Sequence, residues 1–193
     1  MLIGLTGNIA TGKSAAASLF EKLGAKVIDA DKIVHELYSN NLSIKLKILF
    51  SFGFSSIDFL HMGVNRHKLA QRVFSDKKQM KKLESIVWSY VNKEIARLTK
   101  SDEINVIEAA LLFESGMNEK MDRTIMVCAN KDIQLKRILK RNKELSKEDA
   151  LRRINIRMPQ KEKAKKADYV INNNGSLKAL EKQVRKVWLR IKL

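Results

Sequence analysis

A single cysteine, Cys128, excludes an intramolecular disulfide, and its place in an apolar, strand-like run reads as a small core residue. One proline and eight glycines leave no Gly/Ser/Pro-rich linker and no repeat, so global disorder is not expected of a chain with 45% hydrophobic residues. His35, His61 and His67 show no metal-ligand spacing with one another or with Cys128, and surface or helix-packing roles are expected for them. No apolar run approaches a membrane span, and the apolar stretch before Thr6 is too short for a signal peptide. A reducing cytoplasm is the expected setting. Acidic residues are also scarce: 21 Asp and Glu against 38 Lys and Arg leave a net charge of +17. Between Lys131 and Lys166 stand 14 basic and 5 acidic residues. Such a concentration can attract polyanions, whether nucleic acid or phosphorylated metabolites, and it can equally be solvated helix surface. Charge alone does not decide between them. The length, 193 residues, is that of one ordinary domain with room for insertions.

What is present is more specific. Residues 7–14 read Gly-Asn-Ile-Ala-Thr-Gly-Lys-Ser, between the apolar run Leu2-Ile3-Gly4-Leu5 and a stretch that places Ala16, Leu19, Phe20 and Leu23 on one helical face. Strand, loop and helix in that order are the context a phosphate-binding loop needs. Gly7 and Gly12 are expected to supply backbone angles that turn successive N–H groups inward. The helix aims its positive end at the same point. Lys13 offers a point charge for β- and γ-phosphates, and the Ser14 hydroxyl is placed to ligate Mg²⁺. The motif reads as a nucleoside triphosphate site.

Further along, Ala25-Lys26-Val27-Ile28 reads as a second strand ending in Asp29-Ala30-Asp31. From Lys32 to about Lys100 the pattern is mostly helical: Met80, Leu83, Ile86, Val87, Tyr90, Val91, Ile95 and Leu98 recur at three- and four-residue spacing. Phe50 to Gly63 reads as an irregular connection within that block. Strands return at 104–107, 124–128 and 169–171, with helices over 131–141, 147 to about 166, and 177–191. Ser146 and Asp149 mark the start of the middle helix. Strands alternating with helices predict an α/β fold with a parallel sheet covered on both sides. Ligands in such sheets bind at the carboxyl ends of the strands, which puts Asp29, Asp31 and Glu108 on the rim of the phosphate loop. Asp29 and Asp31 also fit a plain helix start, where their oxygens would cap N–H groups.

The segment from Gly4-Leu5-Thr6-Gly7 to Lys13-Ser14, followed by Val27-Ile28-Asp29-Ala30-Asp31, resembles the dephospho-CoA kinases. The resemblance continues through Arg66 before Leu69 and Val73-Phe74, then Leu111-Leu112-Phe113-Glu114, and Arg137 to Arg141. It ends at Ala167-Asp168-Tyr169-Val170-Ile171 with Asn174-Gly175. The loop alone is shared by very many NTPases; the Asp-Ala-Asp spacing, the arginines and the Asn-Gly exit are far more selective.

The resemblance implies a P-loop NTPase three-layer fold with a central parallel sheet, a helical substrate-binding insertion over 32–100 and a basic helical lid over 142–166. The core would then be 1–31, 101–141 and 167–193. It implies transfer of the ATP γ-phosphoryl group to the ribose 3′-hydroxyl of dephospho-CoA, the last step of coenzyme A synthesis. Asp31 falls where the family has its proton acceptor, with Lys13, Arg141 and Arg137 neutralising the transferring group. By the same resemblance Gly7, Asn8, Ala10, Thr11, Gly12, Ser14, Ala15, Asn174 and Gly175 bind ATP, and Arg66, Glu108 and Leu112 join Asp31 at the acceptor. Ser14 ligates Mg²⁺, supported through water by Asp29 or Glu108. The partners implied are ATP and dephospho-CoA, with no stable nucleic-acid partner, no membrane, and a monomer expected. The chain departs from the family pattern at Ala15 for Thr, Trp88-Ser89 for His-Pro, Glu108 and Ala110 for Asp and Pro, and Arg157 for Gln. A nucleoside monophosphate kinase and, more remotely, a nucleic-acid-binding NTPase are the alternative readings.

Overall fold

A computed structural model of the chain describes residues 1–58, 63–65, 67–69, 73 and 76–193. In chain order the elements are β1 (Leu2–Gly7), α1 (Lys13–Lys22), β2 (Lys26–Asp29), α2 (Ala30–Asn40), α3 (Leu42–Phe52), β3 (Ile57–Asp58), β4 (Gly63–Val64) and α4 (Lys77–Leu98), then β5 (Asn105–Glu108), β6 (Arg123–Cys128), α5 (Lys131–Arg141), α6 (Lys147–Asn155), α7 (Gln160–Lys166), β7 (Tyr169–Asn172) and α8 (Leu177–Ile191). They form two compact units, Met1–Ile28 with Thr99–Leu193, and Asp29–Leu98.

The larger unit is built on a central parallel sheet of order β2-β5-β1-β6-β7, flanked by helices. Its inner strands β5, β1 and β6 are short apolar runs buried on both faces, as parallel strands between helices must be, while the edge strands β2 and β7 are partly exposed. Register brings Ile3 beside Val106, Leu5 beside Ile125, and Val127 beside Ile171. These six share one face with Ala16, Phe20, Leu180, Val184 and Trp188 from α1 and α8 in a single cluster. Leu180, Val184, Val187, Trp188 and Ile191 recur at three- and four-residue steps, so α8 buries a continuous stripe, and the Phe20 and Trp188 rings meet at 6.2 Å. On the other face the Leu112 methyls lie where a side chain on Gly4 would sit, so only glycine lets that loop close on β1.

Two local features differ from what the residues alone predict. The strands near 26 and 105 run one residue later than their apolar runs suggest. The helix expected from Lys147 to about Lys166 is two helices, α6 and α7, interrupted between Asn155 and Gln160. Pro159 sits in that interruption, where its ring disfavours helical backbone in the residue before it and removes an N–H. Ser146 caps α6 as expected, accepting from the Asp149 N–H at 3.0 Å.

The smaller unit packs α2, α3 and α4 with the two-residue antiparallel pair β3–β4. Ala30, Ile33, Ile44, Ile48, Phe52, Val87, Val91 and Ile95 are its buried apolar residues from those helices. Asn41 ends α2 and starts α3, its side chain accepting from the Ile44 N–H at 3.0 Å. Arg66 and His61 lie outside the described residues.

At the start of β6 and β7, Asp168 Oδ2 accepts from both the Thr124 N–H and its hydroxyl, each at 2.7 Å. Asp168→Ala should cost about 2 kcal/mol for these charge-assisted bonds. It should lower Tm by about 4–8 °C in calorimetry; an unchanged Tm would mean the two strands are held without this bridge.

Candidate active site

The loop Asn8–Gly12 leaves β1 and returns into α1. Gly12 sits at φ +93°, in the left-handed region, and a Cβ there would collide with Asn173 Nδ2. Gly7 is needed for a different reason from the one expected: its φ is not positive, but a Cβ would lie 2.6 Å from Thr11 Oγ1 and 2.9 Å from Val127 O. The other left-handed position in the loop is Ala10, at φ +59°. Thr11 is fully buried, and its hydroxyl donates to Asn8 O at 2.9 Å, closing the turn. No side chain caps α1 and its first turn holds no acidic residue. Its first N–H groups therefore stay available to an anion at the positive end of the helix.

A cavity of about 520 Å³ opens on this loop. Lys13, Ser14 and Ala15 line it from α1, and Ala110 lines it from the segment after β5. Arg141, Arg152, Arg153 and Arg157 line it from the basic helical region, so four arginines border the phosphate loop, with the Arg152 guanidinium 3.6 Å from Asp149 on its own helix. Glu108, the last residue of β5, is 6% exposed. The Ser14 hydroxyl donates to its Oε1 at 2.6 Å, and Lys13 Nζ lies 3.6 Å from the same oxygen. A hydroxyl and a carboxylate side by side at a phosphate cradle are the hard oxygen donors Mg²⁺ takes, with phosphate and water completing its shell. The residues fit that ion, although no group of three or more His, Cys, Asp or Glu gathers as a metal cluster among the described residues.

The two arginines expected to act together are divided. Arg141 lines the cavity, but Arg137 is not among its lining residues. Arg137 Nη1 donates to the carbonyls of Ala10 (3.2 Å) and Thr11 (3.3 Å), and Nη2 to that of Asn173 (3.0 Å). Asn173, 6% exposed, donates from Nδ2 to the same Thr11 carbonyl at 2.8 Å. Arg137 thus supports the loop through its outward-turned carbonyls. Leu112, expected at the acceptor, is fully buried and offers no side-chain surface to a ligand. Asn174 Oδ1 accepts from the Asn130 N–H at 2.7 Å, ahead of α5, and neither it nor Gly175 lines the cavity. In the smaller unit, Asp29 is the cap of α2, accepting from the Lys32 N–H at 3.0 Å, while Asp31 is exposed in the first turn. Burial pushes the Cys128 thiol up, which keeps it protonated near neutrality.

Sequence reasoning missed Asn173, Arg152 and Arg153. Arg153 and Arg157 stand four residues apart, a spacing that signals a shared face. Nothing in the run Asn172-Asn173-Asn174 distinguishes the buried member from its exposed neighbours.

A phosphate loop between the central strand and its helix, on a parallel sheet with arginines over the cradle, defines a P-loop kinase. The family model described as dephospho-CoA kinase matches residues 1–179. The chain belongs to the dephospho-CoA kinase family. It is 41% identical over 189 residues to the dephospho-CoA kinase of Aquifex aeolicus, covering 96% of this chain and 95% of that one. A crystal structure from Thermus thermophilus superimposes with a TM-score of 0.79 at 33% identity, over 99% of this chain and 97% of that chain. The dephospho-CoA kinase structure from Campylobacter jejuni does so with a TM-score of 0.66 at 31% identity, over 98% and 96%.

The contrast between the arginines is testable by calorimetry. Arg137→Ala removes three bonds to backbone carbonyls and should cost about 2–4 kcal/mol, together with ATP affinity. Arg141→Ala should leave Tm within about 2 °C, as expected for an exposed side chain. Equal losses of stability would show that the two arginines do the same work.

Proposed function

We propose that the protein transfers the γ-phosphoryl group of ATP to the ribose 3′-hydroxyl of dephospho-CoA, giving ADP and coenzyme A. The observation that carries this reading is the cavity itself: an uncapped helix start lined by Lys13, Ser14 and four arginines, with Glu108 bonded to the Ser14 hydroxyl behind it. Membership of the family over residues 1–179 supplies the acceptor.

Residues 32–100 form the acceptor-binding insertion in this reading, residues 142–166 the lid, and 1–31, 101–141 and 167–193 the core. The loop from Gly7 to Ser14 and Ala15 holds the ATP phosphates through backbone N–H groups, and Lys13 bridges the β- and γ-oxygens. Asn174 and Gly175 lie towards the adenine. Ser14 and Glu108 would hold Mg²⁺, with Asp29 supporting it through water; when bound, the ion would supply charge neutralisation on the phosphate oxygens. Asp31 accepts the proton of the 3′-hydroxyl as its oxygen bonds to the γ-phosphorus and the bond to the β,γ-bridging oxygen breaks. Arg66 binds the acceptor. Arg141, joined by Arg152, Arg153 and Arg157, neutralises charge on the transferring group; the transition state is loose, so position and charge matter more than proton removal. The enzyme acts as a cytoplasmic monomer on two small molecules. No helix of the described residues is long and apolar enough to cross a membrane.

A coupled assay of ADP release with dephospho-CoA, AMP, CMP and DNA as separate acceptors should give turnover only with the first. Turnover with AMP or CMP would replace this reading with a nucleoside monophosphate kinase, and stimulation by DNA with a nucleic-acid-dependent NTPase.

Because Asp29 already caps α2, Asp31 can be tested without disturbing the helix start. Asp31→Asn should leave Tm unchanged and lower kcat by roughly 10²–10⁴-fold, the range for removal of a general base. A wild-type kcat in that variant would remove Asp31 from the mechanism.

A further inference from the structure

Lys163 is the one fully buried lysine of α7; Lys161, Lys165 and Lys166 on the same helix are exposed. A lysine goes below the surface only where its charge and N–H groups are met. Its Nζ lies 2.7 Å from Glu114 Oε1 and donates to the Ala110 carbonyl at 2.9 Å. Both Glu114 oxygens are themselves buried, so this pair is closed to water. Ala110 lines the cavity, two residues after Glu108, and its carbonyl also accepts from the Thr6 hydroxyl of β1 at 3.3 Å.

The chain just before Lys163 grips two further strand ends. Asn8 Nδ2, in the phosphate loop after β1, donates to Met158 O at 3.0 Å. Gln160 takes both backbone groups of Ala129, after β6: the Ala129 N–H donates to Oε1 at 3.0 Å and Nε2 donates to Ala129 O at 3.0 Å. Residues 158–163 therefore bind the ends of β1, β6 and β5 in turn, and they follow directly on α6 and Arg157, which carry cavity arginines. Of these three attachments, the one at Lys163 reaches the segment that carries Glu108.

The geometry points to Lys163 as a positioning residue for phosphoryl transfer: its bond to the Ala110 carbonyl fixes the chain after β5 and with it Glu108 against Ser14 and Lys13. The inference rests on the phosphoryl transfer proposed above. The ion pair with Glu114 serves a separate purpose, neutralising the charge that the Ala110 bond requires to be buried. A small displacement of Glu108 moves the oxygen that meets Ser14, and misplacement at a phosphoryl-transfer site is felt in kcat.

The two contacts are separable. Glu114→Gln leaves the buried Lys163 charge without its counter-charge, so Tm should fall by about 10 °C, but the donation to Ala110 should remain, with wild-type hydrogen exchange of residues 109–116 and kcat within about twofold. Lys163→Met leaves the Glu114 carboxylate buried and alone, and Tm should fall by about 10 °C. The double variant Lys163→Met/Glu114→Gln removes both charges and should recover most of that Tm, since neutral replacement of a buried pair is well tolerated. Its kcat should nevertheless remain about tenfold or more below wild type. Hydrogen exchange of residues 109–116 should be faster in the double variant while that of 13–22 is unchanged. All assays run at least about 15 °C below the Tm of the variant concerned, so that unfolded protein contributes little. Wild-type kcat and wild-type exchange in the double variant would overturn the inference, leaving Lys163 as a mere counter-charge. So would a tenfold loss of kcat in a Glu114→Gln variant whose exchange of residues 109–116 is that of wild type. Turnover of wild-type protein with dephospho-CoA tests the proposed function by itself, and the exchange of 109–116 tests the tether whatever the acceptor proves to be.

Discussion

The phosphate loop must hold a tight, partly left-handed backbone open for an anion at a helix start that no side chain caps. That constraint organises the larger unit. N–H groups turned inward leave carbonyls turned outward, and those need donors from elsewhere. Arg137 and Asn173 supply them, meeting the carbonyls of Ala10 and Thr11 from α5 and from the end of β7. Gly12 is glycine because its left-handed backbone and the Asn173 amide leave no room for a Cβ. Thr11 is buried because its hydroxyl closes the turn on Asn8. The charge on Arg137 is thus used structurally, one layer beneath the surface where the other arginines face the cavity.

The same logic extends along the carboxyl edge of the sheet. The strands stop there, and backbone groups just beyond them are met by side chains: Gln160 on Ala129, Lys163 on Ala110, Asn174 on Asn130. Catalytic sites of open α/β sheets sit at that edge because the strand ends present polar groups without neighbours. In this chain, part of the edge binds its own helical region and part is left to a ligand. The division falls between α7, which is stitched to the strand ends, and α6 with Arg141, which presents guanidinium groups to the cavity. Pro159 makes the division possible by preventing one continuous helix.

The departures from the family pattern acquire physical content against this geometry. Glu108, in place of the shorter acid, is buried and reaches the Ser14 hydroxyl directly. Ala110, in place of proline, has its carbonyl held by Thr6 and Lys163, so its position is set by hydrogen bonds rather than by a ring. Arg157, in place of glutamine, adds a guanidinium to the cavity wall. Nothing in the structure accounts for Trp88, a half-buried residue of α4, in place of histidine.

Much of the protein was legible in its residues alone. The spacing of Gly7, Gly12, Lys13 and Ser14, the alternation of apolar strands with amphipathic helices, and the stripe from Leu180 to Ile191 depend on local periodicity and backbone chemistry, which sequence carries directly. The helix over 131–141 and the Ser146 start were visible for the same reason. What tertiary structure alone decided is which of several like residues faces where. Arg137 and Arg141 lie one turn apart on a single helix, yet one supports loop carbonyls and the other lines the cavity. Lys163 is buried among exposed lysines, Asn173 among exposed asparagines, and Leu112 lies under Gly4 rather than at a ligand. Those outcomes turn on partners between 36 and 162 residues away in the chain, as for Arg137 with Asn173 and Asn173 with Thr11. A periodic pattern specifies a face; only packing specifies what that face meets.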